Sequence, residues 1–204
     1  MSRLVLMAMV GLLAGCVGYT TYPPEDGQWA GSDPNGLQLE AVMAASLHRV
    51  ITDHPPPDVN GEGARLAINL PAGLHPIRYE RVVEKLGLGS VALTEESSAL
   101  PRYSVKTIRL RAKNAEVDVF RPVYASLSGP DTQMITVTLT GGVTPWRVER
   151  VQEWAPGAFE PPVPYYLMSV EQWDADLEAA REAERAAKQA EKDAKKKAAE
   201  EDEG

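Results

Sequence analysis

The sequence predicts an α+β fold, in which two helices lie on one face of a curved antiparallel sheet of about four to six strands. An isolated, charged C-terminal helix follows. Apolar residues recur at spacings of three and four over residues 39–51 and again over 77–86, which is typical of amphipathic helices. Apolar and polar residues alternate over most of residues 103–154, as in half-buried strands. After Glu178 the only apolar side chains are alanines, which indicates a helix without a packing face.

Composition limits the function classes. The chain has 204 residues, with 21 Lys and Arg against 29 Asp and Glu, so its formal net charge is −8. An acidic chain without a basic aromatic patch does not resemble nucleic-acid-binding proteins, so we expect no nucleic acid partner. We predict a signal peptide over residues 1–15, a lipidated flexible tether over 16–36, a globular domain over 37–168, and a charged helix with a disordered tail over 169–204.

The leader combines a basic start at Arg3 with an apolar run over residues 4–13. That run is far too short to span a bilayer, which needs about 20 apolar residues, and it has the proportions of a signal-peptide core. It ends in LAGC at residues 13–16. This tetrapeptide resembles the lipobox of bacterial lipoproteins, in which small residues precede the acceptor cysteine. The alternative is an ordinary secreted protein with a chance cysteine near its cleavage site.

The resemblance implies cleavage before Cys16 and acylation of that cysteine, with palmitate-class chains as a lipid anchor to a membrane of the cell envelope. Val17 follows, where an Asp in this family commonly signals retention in the inner membrane. In a diderm cell the resemblance therefore favours the outer membrane, facing the periplasm. Cys16 is the only cysteine, so no intramolecular disulfide can form.

The tether is predicted because residues 17–36 are rich in Pro, Gly, Asp and Ser and show no apolar period. Tyr19, Tyr22 and Trp29 are its large aromatic residues. They could dock on the domain, lie among lipid headgroups, or simply be scattered along a linker.

The first helix has Leu39, Val42, Met43, Leu47, Val50 and Ile51 on one face, with Glu40 elsewhere. Asp33-Pro34 or Asn35 could cap its start, and the prolines of residues 52–57 end it. A strand is predicted over residues 64–70. Pro76 begins a second helix, which ends at Gly87 and is followed by a short strand over 91–93. Its predicted inward side chains are Ile77, Val82, Val83 and Leu86.

Residues 103–123 predict a β-hairpin with its turn at Lys113-Asn114. This register places apolar pairs on one face and opposite charges on the other. The pairs are Leu110 with Val117, Ile108 with Val119, Arg109 with Asp118, and Arg111 with Glu116. A second hairpin is predicted from residues 133–140 and 146–154, with a bulge near Glu149 or Arg150.

The order of these elements resembles the nuclear transport factor 2-like superfamily, whose helices and bent sheet enclose a pocket. Its members include dehydratases, isomerases, subunits that only associate, and lipoproteins. The resemblance implies that the face of Arg109, Arg111, Glu116 and Asp118 could line such a pocket and bind a small molecule. The other interpretation is a set of cross-strand salt bridges on a sheet face.

No pattern predicts a catalytic residue, a cofactor site or a metal site. The histidines His48, His54 and His75 have no metal-ligand spacing, and the sequence has neither a GxSxG motif nor a glycine-rich phosphate loop after a strand. His54 follows Asp53 and lies near Asp58, which could hold an ion weakly. A proline-rich exit loop is the simpler explanation of that composition.

The last two segments are a proline-rich stretch and a charged helix. Residues 154–166 are interpreted as a strap that covers the domain, or alternatively as a polyproline-type ligand for a partner. Ser169 and Gln172 form a predicted capping box. The Glu184–Lys188, Glu191–Lys195 and Asp193–Lys197 pairs stabilise the helix. This coiled-coil-like segment lacks a Leu or Ile seam and resembles the Ala-Lys-Glu-rich helical spacers of envelope proteins.

Two function classes follow. The favoured one is a non-catalytic envelope lipoprotein whose domain and arm bind or scaffold another envelope protein. The alternative is a small-molecule-binding or hydrolase- or dehydratase-like domain with a pocket in the sheet.

Overall fold

The computed structural model describes residues 20–23, 36–57, 64–124, 131–142 and 144–202, with side chains described up to residue 195. Within these residues the α+β class is confirmed. In chain order the elements are β1 (Thr20–Tyr22), α1 (Leu37–Asp53), β2 (Leu66–Asn69), α2 (Pro76–Leu86), β3 (Ser90–Ala92), β4 (Arg102–Arg111), β5 (Asn114–Pro122), β6 (Thr132–Thr140), β7 (Arg147–Glu153) and α3 (Val170–Asp202).

The strands form one seven-stranded sheet in the order β3-β2-β4-β5-β6-β7, with β1 also paired to β4. The sheet is mixed, because β2 runs parallel to both β3 and β4. The predicted sheet had four to six antiparallel strands, so the prediction is wrong in strand direction and in strand number. The reason is that β2, α2 and β3 make a crossover unit, in which a helix returns the chain so that the next strand lies parallel to the first.

The prediction of a flexible tether is wrong for residues 20–22. These residues form β1, which is antiparallel to β4 with Thr20 opposite Leu110 and Tyr22 opposite Ile108. Tyr22 is buried at 6% exposure, and its hydroxyl donates to the Ala72 carbonyl. Because β2 pairs with only the first part of β4, the rest of that edge is open to another strand, and Thr-Thr-Tyr has good strand propensity. Cys16, Tyr19 and Trp29 lie outside the described residues.

Helix α1 packs on the sheet with the predicted face. Its buried apolar residues are Leu39, Val42, Met43, Leu47, Val50 and Ile51. The predicted cap is wrong, because Gly36 is the N-cap and makes no side-chain hydrogen bond there. Asp33 and Asn35 lie outside the described residues.

Helix α2 begins at Pro76 and ends before Gly87, as predicted, and Gly87 adopts a left-handed φ of 58°. His75 caps its start by accepting a hydrogen bond from the Ile77 amide. The prediction that Ile77 faces inward is wrong, since it is 44% exposed while Tyr79 is fully buried. Two residues correspond to about 200° of helical rotation, so these side chains lie on nearly opposite faces.

The β4–β5 hairpin forms, but its register differs by two residues from the predicted one. The turn is Ala112-Lys113, and Ala112 adopts a left-handed φ of 48°. The observed pairs are Arg111 with Asn114, Leu110 with Ala115, Arg109 with Glu116, Ile108 with Val117, and Thr107 with Asp118. An irregularity between Val105 and Thr107 then brings Val105 opposite Val119. A shift of two residues leaves every side chain on its predicted face, because strand side chains alternate with a period of two.

The second hairpin forms with its predicted bulge. Thr138 pairs with Arg150 and Leu139 with Val148, so Glu149 is the extra residue. Val148 and Val151 pack against the core from β7. Val148 and Val151 are three positions apart, so a regular strand would place them on opposite faces. The bulge brings both side chains to the core face.

Residues 154–168 cross the face of the sheet opposite the helices, which agrees with the covering strap predicted for 154–166. Tyr165 packs against the core, whereas Trp154, Phe159 and Tyr166 are exposed. This segment is named the strap. It runs from β6 over β4 and β2 to the residue after β3. The hydrogen bonds that hold it are Gly157 N to the Thr132 carbonyl (3.0 Å), Lys106 Nζ to the Glu160 carbonyl (2.8 Å), Tyr165 N to Asn69 Oδ1 (2.9 Å) and Leu167 N to the Leu93 carbonyl (2.8 Å).

Helix α3 starts with the predicted capping box, in which Ser169 and Gln172 exchange hydrogen bonds of 3.2 Å. Its first turns contact the domain, since the ring of Trp173 meets that of His75 edge-on at 5.8 Å. Every side chain from Glu178 to residue 195 is exposed. The Glu184–Lys188 and Glu191–Lys195 pairs form, whereas Lys197 lies beyond the described side chains. The helix continues to Asp202, through the start of the tail predicted at 200–204.

Candidate functional site

The charged face of the sheet is organised by one arginine. Arg109 binds Asp118 through two hydrogen bonds, Nη1 to Oδ2 at 2.8 Å and Nη2 to Oδ1 at 3.1 Å, and it binds Glu116 from Nε at 3.3 Å. Planar guanidinium–carboxylate pairs of this kind are strong and directional. Burial acts to lower the pKa of Arg109, but its bonds to Asp118 and Glu116 outweigh that effect and raise the pKa.

The network continues across the sheet to the strap. The Thr136 hydroxyl donates to Asp118 Oδ1 at 2.7 Å, and the Trp154 indole donates to Thr136 at 3.0 Å. Asp118 is only 7% exposed, so its charge is compensated by Arg109 and Thr136 and not by solvent. The network therefore connects β4, β5 and β6 to the first residue of the strap.

Arg111 does not have the cross-strand position that was predicted. It lies opposite Asn114 at the turn, and not opposite Glu116. The structure thus brings Arg109, Glu116 and Asp118 together and leaves Arg111 at the end of the sheet. The arrangement satisfies the charges of the three residues and favours the salt-bridge interpretation of this face over a pocket.

A second buried carboxylate was missed by the sequence reasoning. Glu40 was assigned outside the apolar face of α1, yet it is only 2% exposed. Arg78 Nη1 donates to it at 3.1 Å, and Lys85 Nζ donates to its other oxygen. Burial acts to raise the pKa of Glu40, but the hydrogen bonds and charges of Lys85 and Arg78 outweigh it and lower the pKa. Arg78 and Lys85 are seven residues apart on one helix face, which is the signal that could have indicated an acidic partner.

An apolar groove of about 570 Å³ runs between α1 and the loop that joins β6 to β7. Trp146 forms part of its wall and packs on the core. The other lining residues are Leu37, Gln38, Ala41, Ala44, Ala45, Lys85, Gly142, Thr144 and Pro145.

A basic cleft of about 340 Å³ lies between the β4–β5 turn and the β6–β7 loop. The two turns are joined, because the Gly141 amide donates to the Lys113 carbonyl at 2.8 Å. Lys113 and Arg147 supply its two positive charges. Asn114, Thr140, Gly141 and Thr144 complete the lining.

The histidines do not assemble a metal site among the described residues, where no three His, Cys, Asp or Glu side chains are grouped for one ion. His54 Nε2 lies 3.4 Å from Glu153, and Asp53 pairs with Arg49 at 2.7 Å. Asp58 lies outside the described residues.

Comparison of the chain with protein-family models, with curated proteins and with solved structures found no match.

Proposed function

We propose that the chain is a cell-envelope lipoprotein, anchored through lipid on Cys16, whose domain and C-terminal arm serve as a non-catalytic binding or scaffold module. The observation that carries the proposal is LAGC at residues 13–16, directly behind an apolar run and a basic start. In a diderm cell the anchor would lie in the outer membrane, with the domain in the periplasm.

No helix in the described part of the chain is long and apolar enough to cross a bilayer. Acylation of the cysteine and of its new amino group would attach more than one chain, and two lipid signals are sufficient for stable membrane attachment.

The binding or scaffold role is supported by what the domain exposes. The charged face is filled by mutual ion pairs and crossed by the strap, which leaves Asp118 and Asn69 buried. Apolar side chains instead emerge from the strap itself, where Val163 is 85% exposed. Phe159 and Tyr166 are exposed there too. A proline-rich segment with outward apolar side chains is a surface that a partner protein can bind at low entropic cost.

The arm supports the same role. Helix α3 has 33 residues, so it is about 50 Å long at 1.5 Å per residue. Beyond Leu177 its side chains are exposed up to residue 195. Such a helix can reach a second component without contributing to the core.

The proposal is tested by Cys16→Ser in the full chain, with Val17→Ala as the matched control next to the same cleavage site. We expect Cys16→Ser to abolish incorporation of labelled palmitate and to leave an unprocessed or mislocalised precursor. Val17→Ala should be labelled and retained on membranes. Normal processing and membrane retention of Cys16→Ser would contradict the proposal.

A further inference from the structure

The strand β1 fixes where the domain can lie relative to Cys16. Three residues lie between Cys16 and Thr20, and the four steps from one Cα atom to the next span at most about 14 Å, whatever the conformation. Thr20 is hydrogen-bonded into the sheet opposite Leu110. A lipid on Cys16 would therefore hold the domain close to the membrane and not at the end of a long tether.

The pairing also fixes which end of the sheet is closest. Because β1 is antiparallel to β4, the chain enters β1 from the end of β4 that carries the Ala112-Lys113 turn. Asn114 pairs with Thr140, which places the β6–β7 loop at the same end. This end of the domain, formed by residues 110–115, 140–142 and 144–148, is named the entry end.

The charge of the entry end is opposite to that of the whole chain. The described residues of this end include Arg111, Lys113 and Arg147 and no Asp or Glu, although the chain has a net charge of −8. All three side chains are exposed. Two carboxylates adjoin these residues. Glu116 is bound by Arg109, and Glu149 accepts a hydrogen bond from the Thr140 hydroxyl. The half-buried Trp146 adds an amphipathic ring of the kind that is favoured at membrane interfaces.

We propose that the entry end docks on anionic phospholipid headgroups, with Lys113 and Arg147 as its principal headgroup contacts. This inference rests on the proposed lipid anchor and adds an orientation to it. The basic cleft between Lys113 and Arg147 is open to an anionic headgroup, and it lies at the end of the sheet where the chain from Cys16 enters. Charges farther away would be screened by salt.

The orientation can be measured on the lipidated full chain in vesicles of phosphatidylcholine and phosphatidylglycerol that contain headgroup spin-labelled lipid. Cys16 would carry lipid, so an introduced thiol is the only one available for a fluorescent label. Thr144→Cys places the label on the entry end, and Ala99→Cys places it just before the other end of β4. Ten residues of β4 separate these ends by about 30 Å. We expect strong quenching at Thr144→Cys and weak quenching at Ala99→Cys.

The chemistry is tested by Lys113→Gln with Arg147→Gln in the Thr144→Cys chain. Each basic residue near an anionic surface contributes about five-fold, so the ratio of docked to undocked chains should fall about 25-fold. Arg81→Gln with Lys192→Gln is the charge-matched control, because both residues are exposed and lie outside the entry end. The control should keep the quenching of the parent. Vesicles of phosphatidylcholine alone should lower the quenching at Thr144→Cys to the level of the Lys113→Gln, Arg147→Gln chain, and the remaining difference between the two label positions reports the lipid anchor.

Two failures are distinguishable. If the mass of the purified chain shows no lipid on Cys16, the proposed anchor fails and the docking proposal falls with it. If the lipid is present but both label positions are quenched equally, or both double variants lower the quenching equally, the docking proposal alone is overturned.

Discussion

The β4–β5 hairpin and helix α3 both carry opposite charges in register, but the two regions have different structural roles. In the hairpin, Arg109, Glu116 and Asp118 are paired on one face while Ile108 and Val117 are fully buried on the other. In α3 the Glu184–Lys188 pair lies within residues 178–195, where every side chain is exposed.

The difference shows that charge pairing does not itself integrate a segment into a domain. The pairs of α3 contribute about 0.2–0.5 kcal/mol each to helix stability and weaken in salt. The hairpin is held by apolar side chains on its second face, where burial supplies the larger free energy.

The largest expected effect separates the two faces of the hairpin. Val117→Asp places an unpaired carboxylate at a fully buried position opposite Ile108, so we expect a loss of about 3–5 kcal/mol in the free energy of unfolding. Glu116→Gln on the same strand should cost below about 1 kcal/mol, because that side chain is 33% exposed and Arg109 keeps Asp118. Urea unfolding measures both. Equal losses would show that the assignment of faces is wrong.

The next effect tests the buried part of the charged face. Asp118→Asn removes the charge that binds Arg109 in two places and accepts from Thr136, so we expect a loss of about 2 kcal/mol. Lys113→Gln, an exposed side chain at the turn, is the control and should change stability by less than about 0.5 kcal/mol. If Lys113→Gln were as costly as Asp118→Asn, the contacts of Asp118 with Arg109 and Thr136 would have no special role in stability.

Glu40 provides a pH-dependent contrast. Its folded-state pKa lies below the ordinary value of 4.5, so its stabilisation is complete above that value and is lost as the pH falls through the folded-state pKa. The urea midpoint measured from about pH 6 to about pH 3 should fall more steeply in the parent than in Glu40→Gln. At neutral pH that variant should cost about 1 kcal/mol. Glu84 on α2 is exposed, so Glu84→Gln is the control and should keep the pH profile of the parent. If Glu40→Gln kept that profile too, Glu40 would have no special role in the pH dependence.

The smallest effect concerns the arm. Among the described residues, truncation after Glu178 removes only exposed side chains. The free energy of unfolding of the domain, measured by thermal unfolding, should therefore change by less than about 0.5 kcal/mol. Trp173→Ala, which removes the contact with His75, should destabilise the domain more than the truncation does. A large loss on truncation would mean that the distal part of α3 docks on the core, and the spacer role would have to be abandoned.

Helices α1 and α2, the two hairpins, the bulge at Glu149 and the strap could be predicted because periodicity and turn residues are local signals. The register of the first hairpin could not. A slip of two residues preserves both the apolar face and the charged face, so the pattern of residues 103–123 fits either turn.

Non-local pairing accounts for the other differences. The parallel direction of β2 depends on its crossover to β3, and β1 exists because an edge of β4 is open to Thr20–Tyr22. Neither fact is visible in a local window. The candidate site shows the same limit. Arg109, Glu116 and Asp118 were predicted on one face, but the pairing of Arg109 with both carboxylates depends on the register.

The mass of the N-terminal peptide of the mature protein, isolated from membranes, shows whether lipid is attached to Cys16. We expect a peptide that begins at Cys16 and carries the added mass of a diacylglyceryl thioether with further acylation. An N-terminus at another residue, or an unmodified Cys16, would contradict the proposed anchor.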